Sequence, residues 1–435
     1  MFEIIAYDTF INEISKNKSA FICGNGFSIN FDKKYSANSL SDSLFSTHKH
    51  LKSFQQYDVV SNNQYKNMMI TNFKATKRII NSINTEISFI SLFTDAVKFA
   101  DSIISNSKVI DWLKENNFNL KLQFGLDQLY LVESIVNQAN TNGVLNVNYE
   151  YWTVLIYYVL ALKRASDEFY IMDTSNIFIK AVLAGNTVPF NDLSDIGPKI
   201  FVDVATNGMY VYLRSLFASN ILLHVKSFNV EELDKWSYYK IDVIKELLLN
   251  IDYLITTNYD MLLENITQKN IGHLHSSFSK EKKRILYESL GVYFNCIRYD
   301  LSTIIIGDYF LSKSFLQISM KMASNKSLNI DVKIYSDIIR DAISNRKTNV
   351  IVIFGLGVDN DYHILREIQI QMEAEKLNNP HIIYCYYNDQ DRDSFINSYQ
   401  ECITYSNELN DYVKNQISVS LCDSKEIISN VFIPS

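Results

Sequence analysis

Short strand-like runs, most of them rich in apolar residues, alternate with helical patterns in the second half of the chain. They occupy residues 251–255, 271–275, 292–296, 303–306, 350–354, 382–387 and 417–421. One comparable run, residues 20–23, lies near the N-terminus. Apolar runs of this length that alternate with helices are typical of strands in a parallel sheet. The pattern therefore predicts an α/β fold, with a Rossmann-like, mainly parallel sheet flanked by helices.

The long stretch between the first strand and the others has a different pattern. Apolar residues recur there at helical spacing, as in residues 152–166. Because the strand at 20–23 has no parallel partner close to it in sequence, we expect one discontinuous Rossmann-like domain, residues 1–55 and 248–435. A large, mainly helical insertion, residues 56–247, would split it. Three separate domains are the alternative organisation.

Composition narrows the class of protein. The chain of 435 residues is 47% hydrophobic and 20% charged, which is typical of a globular protein with room for two packed units. Its net charge of −7 argues against direct nucleic-acid binding, which usually requires a basic excess. No apolar run approaches 18 residues, so we expect no membrane span. The five cysteines form no C-x-x-C pair, and the N-terminus lacks signal-peptide features, so we expect a cytoplasmic protein.

Two strand exits carry glycine turns. Gly24-Asn25-Gly26-Phe27-Ser28 follows the first strand, and Gly355-Leu356-Gly357 follows residues 350–354, ahead of Asp361 and a helical pattern. Glycine allows a sharp turn and a close approach of a phosphate group to backbone amides. The third glycine of the dinucleotide fingerprint is missing. Taken alone, each segment is equally consistent with an ordinary turn, with Asp361 as a helix N-cap.

Two further strand exits carry polar side chains. Thr257-Asn258-Tyr259-Asp260 offers an amide that suits a ribose hydroxyl or a carboxamide, although Asn258 or Asp260 would serve equally well as a helix cap. His273-Leu274-His275 offers a general base, or simply a structural histidine. The two histidines would point the same way on a strand, but the sequence indicates no third ligand. We therefore predict no metal site.

Taken in order, these four segments resemble the sirtuin-like (silent information regulator type) domain of bacterial anti-phage defence and abortive-infection proteins. The resemblance covers about residues 1–50 and 250–390. Two departures matter. The chain lacks the two C-x-x-C pairs of the protein-deacylating sirtuins, which argues against a deacetylase. Ser276 also stands where the family has a glycine after its catalytic histidine, and this position identifies His275 rather than His273 as the counterpart.

The resemblance implies an NAD hydrolase that cleaves NAD to nicotinamide and ADP-ribose. Asn258 would hold the ribose or orient water, Asp260 would receive the carboxamide, and His275 would accept a proton. The remaining residues would bind the rest of NAD without a metal. These are Gly24, Asn25, Gly26, Phe27, Ser28, Thr257, Gly355, Gly357 and Asp361.

The resemblance also implies an effector that depletes NAD during infection, held inactive by homo-oligomerisation or by a partner protein from the same operon. The helical insertion is the expected interface. Two alternatives stay open. One is a nucleotide-binding sensor or scaffold with weak catalysis, which the serine at 276 motivates. The other is an ADP-ribosyl cyclase or transferase, which the second product would distinguish.

Overall fold

The computed structural model divides the chain into two compact units. It describes residues 2–32, 35, 37–54, 56–59, 63–116, 128–165, 170–187, 199–224, 240–278, 288–294, 296–301, 335–358, 361–402 and 407–432. The first unit, here the α/β unit, comprises residues 1–36, 225–277 and 332–435. The second, the helical unit, comprises residues 37–224 and 278–331.

A seven-stranded, wholly parallel sheet forms the centre of the α/β unit, which confirms the predicted fold class. Its strands are β1 (Phe2–Ile5), β2 (Ser19–Cys23), β4 (Tyr253–Thr256), β5 (Gly272–His273), β8 (Val350–Phe354), β9 (His381–Tyr386) and β10 (Ser418–Asp423). Its helices are α1 (Tyr7–Lys16), α2 (Asn25–Ile29), α12 (Ile241–Leu249), α13 (Leu262–Thr267), α14 (Tyr335–Arg340), α15 (Tyr362–Ala374), α16 (Asp389–Cys402), α17 (Asn407–Asn415) and α18 (Ser424–Ile427). Two π-helical turns, Asp341–Asn345 and Ile428–Phe432, complete it.

The order of the strands creates a switch point at β2. In the sheet the strands lie in the order β1-β10-β9-β8-β2-β4-β5. The chain runs from β2 outward through β4 to β5, and then returns to the opposite side of β2 with β8, β9 and β10. In open α/β sheets a ligand crevice forms beyond the carboxyl ends of the strands where the direction of winding reverses. Here that point lies between β2 and β8.

The central strands are apolar because both of their faces are covered. Every residue of β2, β4 and β8 is buried. On one face an aromatic cluster surrounds Phe27, whose ring contacts those of Phe21, Phe31, Phe354 and Phe432. Burial of such rings supplies much of the apolar stabilisation of a core. The cluster therefore anchors α2 to the ends of β2 and β8.

The helical unit packs around one central helix, α8 (Trp152–Leu162), whose eleven residues are all buried. The other helices are α3 (Ala37–Phe54), α4 (Asn63–Ser82), α5 (Glu86–Ile104), α6 (Ser107–Glu115), α7 (Gln128–Asn142), α9 (Ile177–Ala184), α10 (Lys199–Ala205) and α11 (Gly208–His224). Two 3₁₀ turns, Val144–Asn146 and Tyr149–Tyr151, precede α8. A helix that is apolar on every side is stable only inside a shell of other helices, and α5, α7, α9, α10 and α11 all contact α8.

The units differ from the predicted domains at their boundaries. Helix α3 belongs to the helical unit, which also contains strand β3 (Gln56–Val59) as predicted, whereas α12 belongs to the α/β unit. The predicted strand at 292–296 overlaps β6 (Glu288–Phe294), which pairs antiparallel with β3 and with β7 (Ile297–Asp300) in a separate sheet. The spacing of its apolar residues correctly indicated a strand, but it did not indicate which sheet the strand joins. The predicted strand at 303–306 lies outside the described residues.

Within the described helices, none is long and apolar enough to cross a membrane.

Candidate functional site

The four segments singled out in the sequence meet at the carboxyl ends of four adjacent strands, β8, β2, β4 and β5. Parallel pairing aligns Cys23, the last residue of β2, with Thr256 of β4 and with Phe354 of β8. Each strand therefore ends at the same level of the sheet. The glycine turn after β2, the polar segment after β4 and the glycine turn after β8 leave the sheet side by side. The whole arrangement lies within the α/β unit.

The two glycine turns touch through their backbones. The Gly26 amide donates to the Gly355 carbonyl at 2.8 Å, and the Gly24 amide donates to Phe354 at 3.0 Å. A Cβ on Gly26 would lie 2.6 Å from the Gly355 Cα, and Gly355 itself has a φ of +62°. Such contacts and such a φ are open only to glycine. These three glycines are therefore required by the packing of β2 against β8.

The same contacts use amides that a phosphate group would need. The Phe27 amide donates to the Gly24 carbonyl at 3.0 Å, so the amides of Gly24, Gly26 and Phe27 all donate within the chain. A pyrophosphate would have to share or displace these bonds. The side chain of the exposed residue Asn25 also donates to the Tyr35 carbonyl at 2.6 Å.

Asn258, Ser28 and Asp260 form one hydrogen-bonded group. The Asn258 amide nitrogen donates to the Gly24 carbonyl at 3.1 Å and to the Ser28 Oγ at 2.9 Å. The Ser28 hydroxyl in turn donates to Asp260 Oδ2 at 2.9 Å. Both hydrogens of the Asn258 amide are thus used, and its Oδ1 is the acceptor left for a ligand. Because Asn258 is only partly buried, it is the member of the group that a ligand can reach.

Both carboxylate oxygens of Asp260 accept hydrogen bonds from within the protein. Its second oxygen, Oδ1, accepts the Leu262 amide at 3.0 Å at the start of α13, so the capping alternative describes its geometry. Burial raises the pKa of the Asp260 carboxyl, while hydrogen bonds from Leu262 and Ser28 oppose the shift. A nicotinamide carboxamide would reach Asp260 only by displacing one of these bonds. Thr257 is likewise buried, and its amide donates to the Cys23 carbonyl at 3.0 Å.

His273 is held at both ring nitrogens. Nδ1 donates to the Asn258 carbonyl at 2.9 Å, and Nε2 donates to Glu264 Oε1 at 2.7 Å. A carbonyl and a carboxylate can only accept, so the two bonds together require the doubly protonated imidazolium. Burial alone lowers the pKa of His273, but the hydrogen bond and charge of Glu264 outweigh it and raise the pKa above its usual value. His273 is a structural histidine that fixes the Asn258 backbone.

His275 faces a different set of groups. Its Nε2 lies 3.4 Å from Asp361 Oδ1, and its ring stands 6.1 Å from that of His363 at an interplanar angle of 23°. Asp361 occupies the N-cap position of α15 without a side-chain capping bond. The side chain of His275 is 16% exposed and that of Asp361 13%, so both are accessible from solvent. His275 and Asp361, which come from distant parts of the sequence, are therefore neighbours in the structure.

Burial sets the protonation of the groups around His275. It raises the pKa of the Asp361 carboxyl, while the neighbouring His275 lowers it in part. Burial together with His275 lowers the pKa of His363 to about 3, which keeps the His363 imidazole neutral at physiological pH. The site thus combines a partly buried carboxyl with a neutral imidazole beside His275.

Gly357 differs from the other glycines. A Cβ placed on it would meet no atom within 4 Å. Packing therefore does not require a glycine at this position, and there is space above its backbone. The contact with NAD that the resemblance implies for Gly357 would have to form on this surface.

Two residues of the site escaped the sequence interpretation. Glu264 lay inside an apolar helical pattern and was given no role, although its carboxylate balances the charge of His273. His363 was also given no role, although it lies two residues after Asp361 at the start of the same helix. Ser276 was singled out in the sequence, and its φ of 68° is in the left-handed region for which glycine is preferred.

Similarity to known proteins adds no functional residue to this site. No protein-family model matches the chain, and no match was found among curated proteins or among solved structures.

Proposed function

We propose that the α/β unit binds NAD beyond the carboxyl ends of β2, β4 and β8 and hydrolyses it to nicotinamide and ADP-ribose. One observation carries the proposal: the segments that resemble the sirtuin-like domain converge at the switch point of the sheet. Dinucleotides characteristically bind at this point of an open α/β sheet.

The roles in the reaction follow from which polar atoms are still available. The bond between the nicotinamide nitrogen and the ribose C1′ breaks, and its electron pair neutralises the pyridinium ring. Neutral nicotinamide leaves, and water adds to the oxocarbenium-like ribose. Asn258 Oδ1 orients the water or a ribose hydroxyl, and His275 accepts the proton that the water loses. The net reaction consumes one water and releases one proton.

Asp361 acts on His275 as a positioning residue. Its Oδ1 lies 3.4 Å from Nε2, which is within ion-pair range but longer than the usual N–H···O distance of about 2.9 Å. Proton transfer to His275 would turn this contact into an ion pair in a partly buried site. Ser28 and Asp260 position Asn258, and His273 fixes its backbone. These residues support the chemistry without touching the reacting atoms.

The decisive test is the release of nicotinamide from NAD by the purified full-length protein in the presence of a chelator, followed by chromatography. His275→Gln and Asn258→Ala are expected to slow release by about 10²- to 10⁴-fold. His381→Gln is the matched control, because His381 also pairs with a carboxylate, Glu13 at 3.3 Å, but lies on β9 away from the site. Equal activity in all four proteins would overturn the proposal. A cyclic second product would show that the reaction is cyclisation rather than hydrolysis, and ADP-ribose linked to an acceptor would indicate a transferase.

A second candidate is a nucleotide sensor with weak catalysis. The observation that favours it is the internal use of the Gly24, Gly26 and Phe27 amides, together with the serine at 276. Saturable NAD binding with no nicotinamide release would support the sensor. Ligand-dependent thermal stabilisation measures that binding directly.

We also propose a cellular role as a cytoplasmic effector of anti-phage defence that depletes NAD. Uncontrolled hydrolysis would kill the host, so the activity must be held off, and the helical unit is the proposed surface for self-association or for a partner protein from the same operon. The resemblance supports this role. Light scattering of the purified protein, alone and with the products of adjacent genes, tests it. A monomer that hydrolyses NAD at full rate without any partner would contradict it.

A further inference from the structure

We propose that His275, Asp361 and His363 bind one divalent transition-metal ion, with Zn²⁺ as the ion that fits best. Each residue offers one ligand atom, and these atoms all lie within 4.8 Å of one another. Two imidazoles and one carboxylate form a common ligand set for such ions. The inference goes beyond NAD cleavage: an ion on His275 would occupy the base proposed for hydrolysis, so the ion-bound form would be inactive, and ion binding is measured without nucleotide.

The separation of the first pair already matches a shared ion. Two ligands of one tetrahedral zinc, each bound at about 2.0–2.1 Å, lie roughly 3.3 Å apart. His275 Nε2 and Asp361 Oδ1 are 3.4 Å apart. The full set spans up to 4.8 Å, so closure onto an ion requires side-chain shifts on the order of 1 Å. Rotation about side-chain torsions provides shifts of this size without moving the backbone.

Each of the three side chains can present a lone pair to an ion. A divalent cation would bind one imidazole nitrogen from each histidine and a carboxylate oxygen of Asp361.

The ligand types select the class of ion. Imidazole nitrogens favour zinc, iron, nickel and copper, whereas magnesium and calcium favour sites made only of oxygens. Three protein ligands leave a fourth tetrahedral position open, as in zinc sites that bind water or substrate. The fold holds two of the three ligands firmly, since Asp361 and His363 lie at the N-terminus of the thirteen-residue helix α15.

The test is titration of chelator-treated full-length protein with Zn²⁺ by calorimetry, and with Co²⁺ by visible absorption. We expect one ion per chain. Asp361→Asn and His363→Gln are expected to weaken binding by about 100-fold or more, since even loss of an outer-shell partner costs about 10- to 100-fold. His381→Gln removes a histidine that lies beside a carboxylate, that of Glu13, and it is expected to bind the ion as the wild type does.

Two results would overturn the site. The first is no stoichiometric binding by the wild type. The second is binding that Asp361→Asn and His363→Gln leave unchanged. Zn X-ray absorption of the loaded wild type requires no variant to fold: a shell of two imidazoles and oxygen supports the site, and a shell containing sulfur contradicts it. Nicotinamide release measured with chelator is scored separately, so failure of the NAD reaction does not count against the ion.

Discussion

Two histidines only two residues apart have opposite surroundings. His273 donates from both ring nitrogens to groups of the fold, whereas His275 faces a partly buried carboxyl and a neutral imidazole. The same contrast divides the whole site into two sides. The locked side consists of Gly24, Gly26, Ser28, Asp260, Glu264, His273 and Gly355. The open side consists of Gly357, His275 and Asp361, with the buried ring of His363 beside His275.

The comparison teaches that a ligand-like residue type does not by itself identify a ligand residue. Asp260 and His273 have the side chains of a binding site, but their polar atoms are already used by Ser28, Leu262 and Glu264. Removing such a group costs stability, because a buried partner loses its hydrogen bond. Removing a group from the open side should instead cost ligand binding. Stability and activity measurements can therefore separate the two sides.

The largest expected difference is between two glycines of one turn. Gly355→Ala should lower the free energy of unfolding by about 3 kcal/mol or more, because the new Cβ would lie 2.6 Å from the Phe27 nitrogen and the residue has a positive φ. Gly357→Ala meets open space and should change it by less than about 0.5 kcal/mol. Urea denaturation measures both. Equal losses in the two variants would abolish the distinction between the sides.

The His273–Glu264 pair is expected to have the next largest effect. Glu264→Gln should lower the free energy of unfolding by about 2 kcal/mol at pH 6, since it removes the charged acceptor of a buried imidazolium. Glu13→Gln is the control, because its contact with His381 is partly exposed and should contribute less than about 1 kcal/mol.

The pH dependence of this pair has a definite sign. The folded-state pKa of His273 is raised above its unfolded value near 6.5. Its stabilising contribution is therefore complete below about pH 6.5 and is lost as the pH rises through the folded-state pKa. The difference in unfolding free energy between the wild type and Glu264→Gln should shrink from pH 6 to pH 9. A difference that grows with pH would show that His273 is neutral in the folded protein.

The smallest expected effect is at Ser276. Ser276→Gly should raise the free energy of unfolding by about 0.5 kcal/mol, because relief of the left-handed φ exceeds the entropy cost of a glycine. The adjacent Ser277→Gly has no such strain to relieve and should lower it by about the same amount. Thermal melts of the two variants suffice. A loss of stability in Ser276→Gly would mean that the serine side chain contributes contacts of its own.

The sheet was predictable because its central strands are buried on both faces. Continuous apolar runs predicted β2, β4, β8 and β9 to within about two residues. The edge strand β1 was not predicted. Only one of its four residues is buried, so it lacks the continuous apolar run that marks the central strands. Strand β6 was assigned to the parallel sheet, since the period of a strand does not reveal its partner.

The sequence predicted where the site lies, but not which of its polar atoms are already hydrogen-bonded within the fold. The strand exits at Gly24, Asn258 and Gly355 share one edge, as parallel strands require. Which polar atoms the fold consumes depends on partners far away in sequence, such as Ser28 with Asp260. The pairing of His275 with Asp361 likewise depends on tertiary structure, and no local pattern reveals it.

The central position of β2 governs when the site can exist during synthesis. β2 ends at Cys23, but its neighbour β8 begins only at Val350. At about 5–20 residues per second, a ribosome needs roughly 15 to 65 s to make the chain between them. The contact order of this pairing is high, so the crevice forms late. Chains that end before β8 therefore lack the crevice, so the proposed cleavage of NAD could begin only after the ribosome has passed Val350.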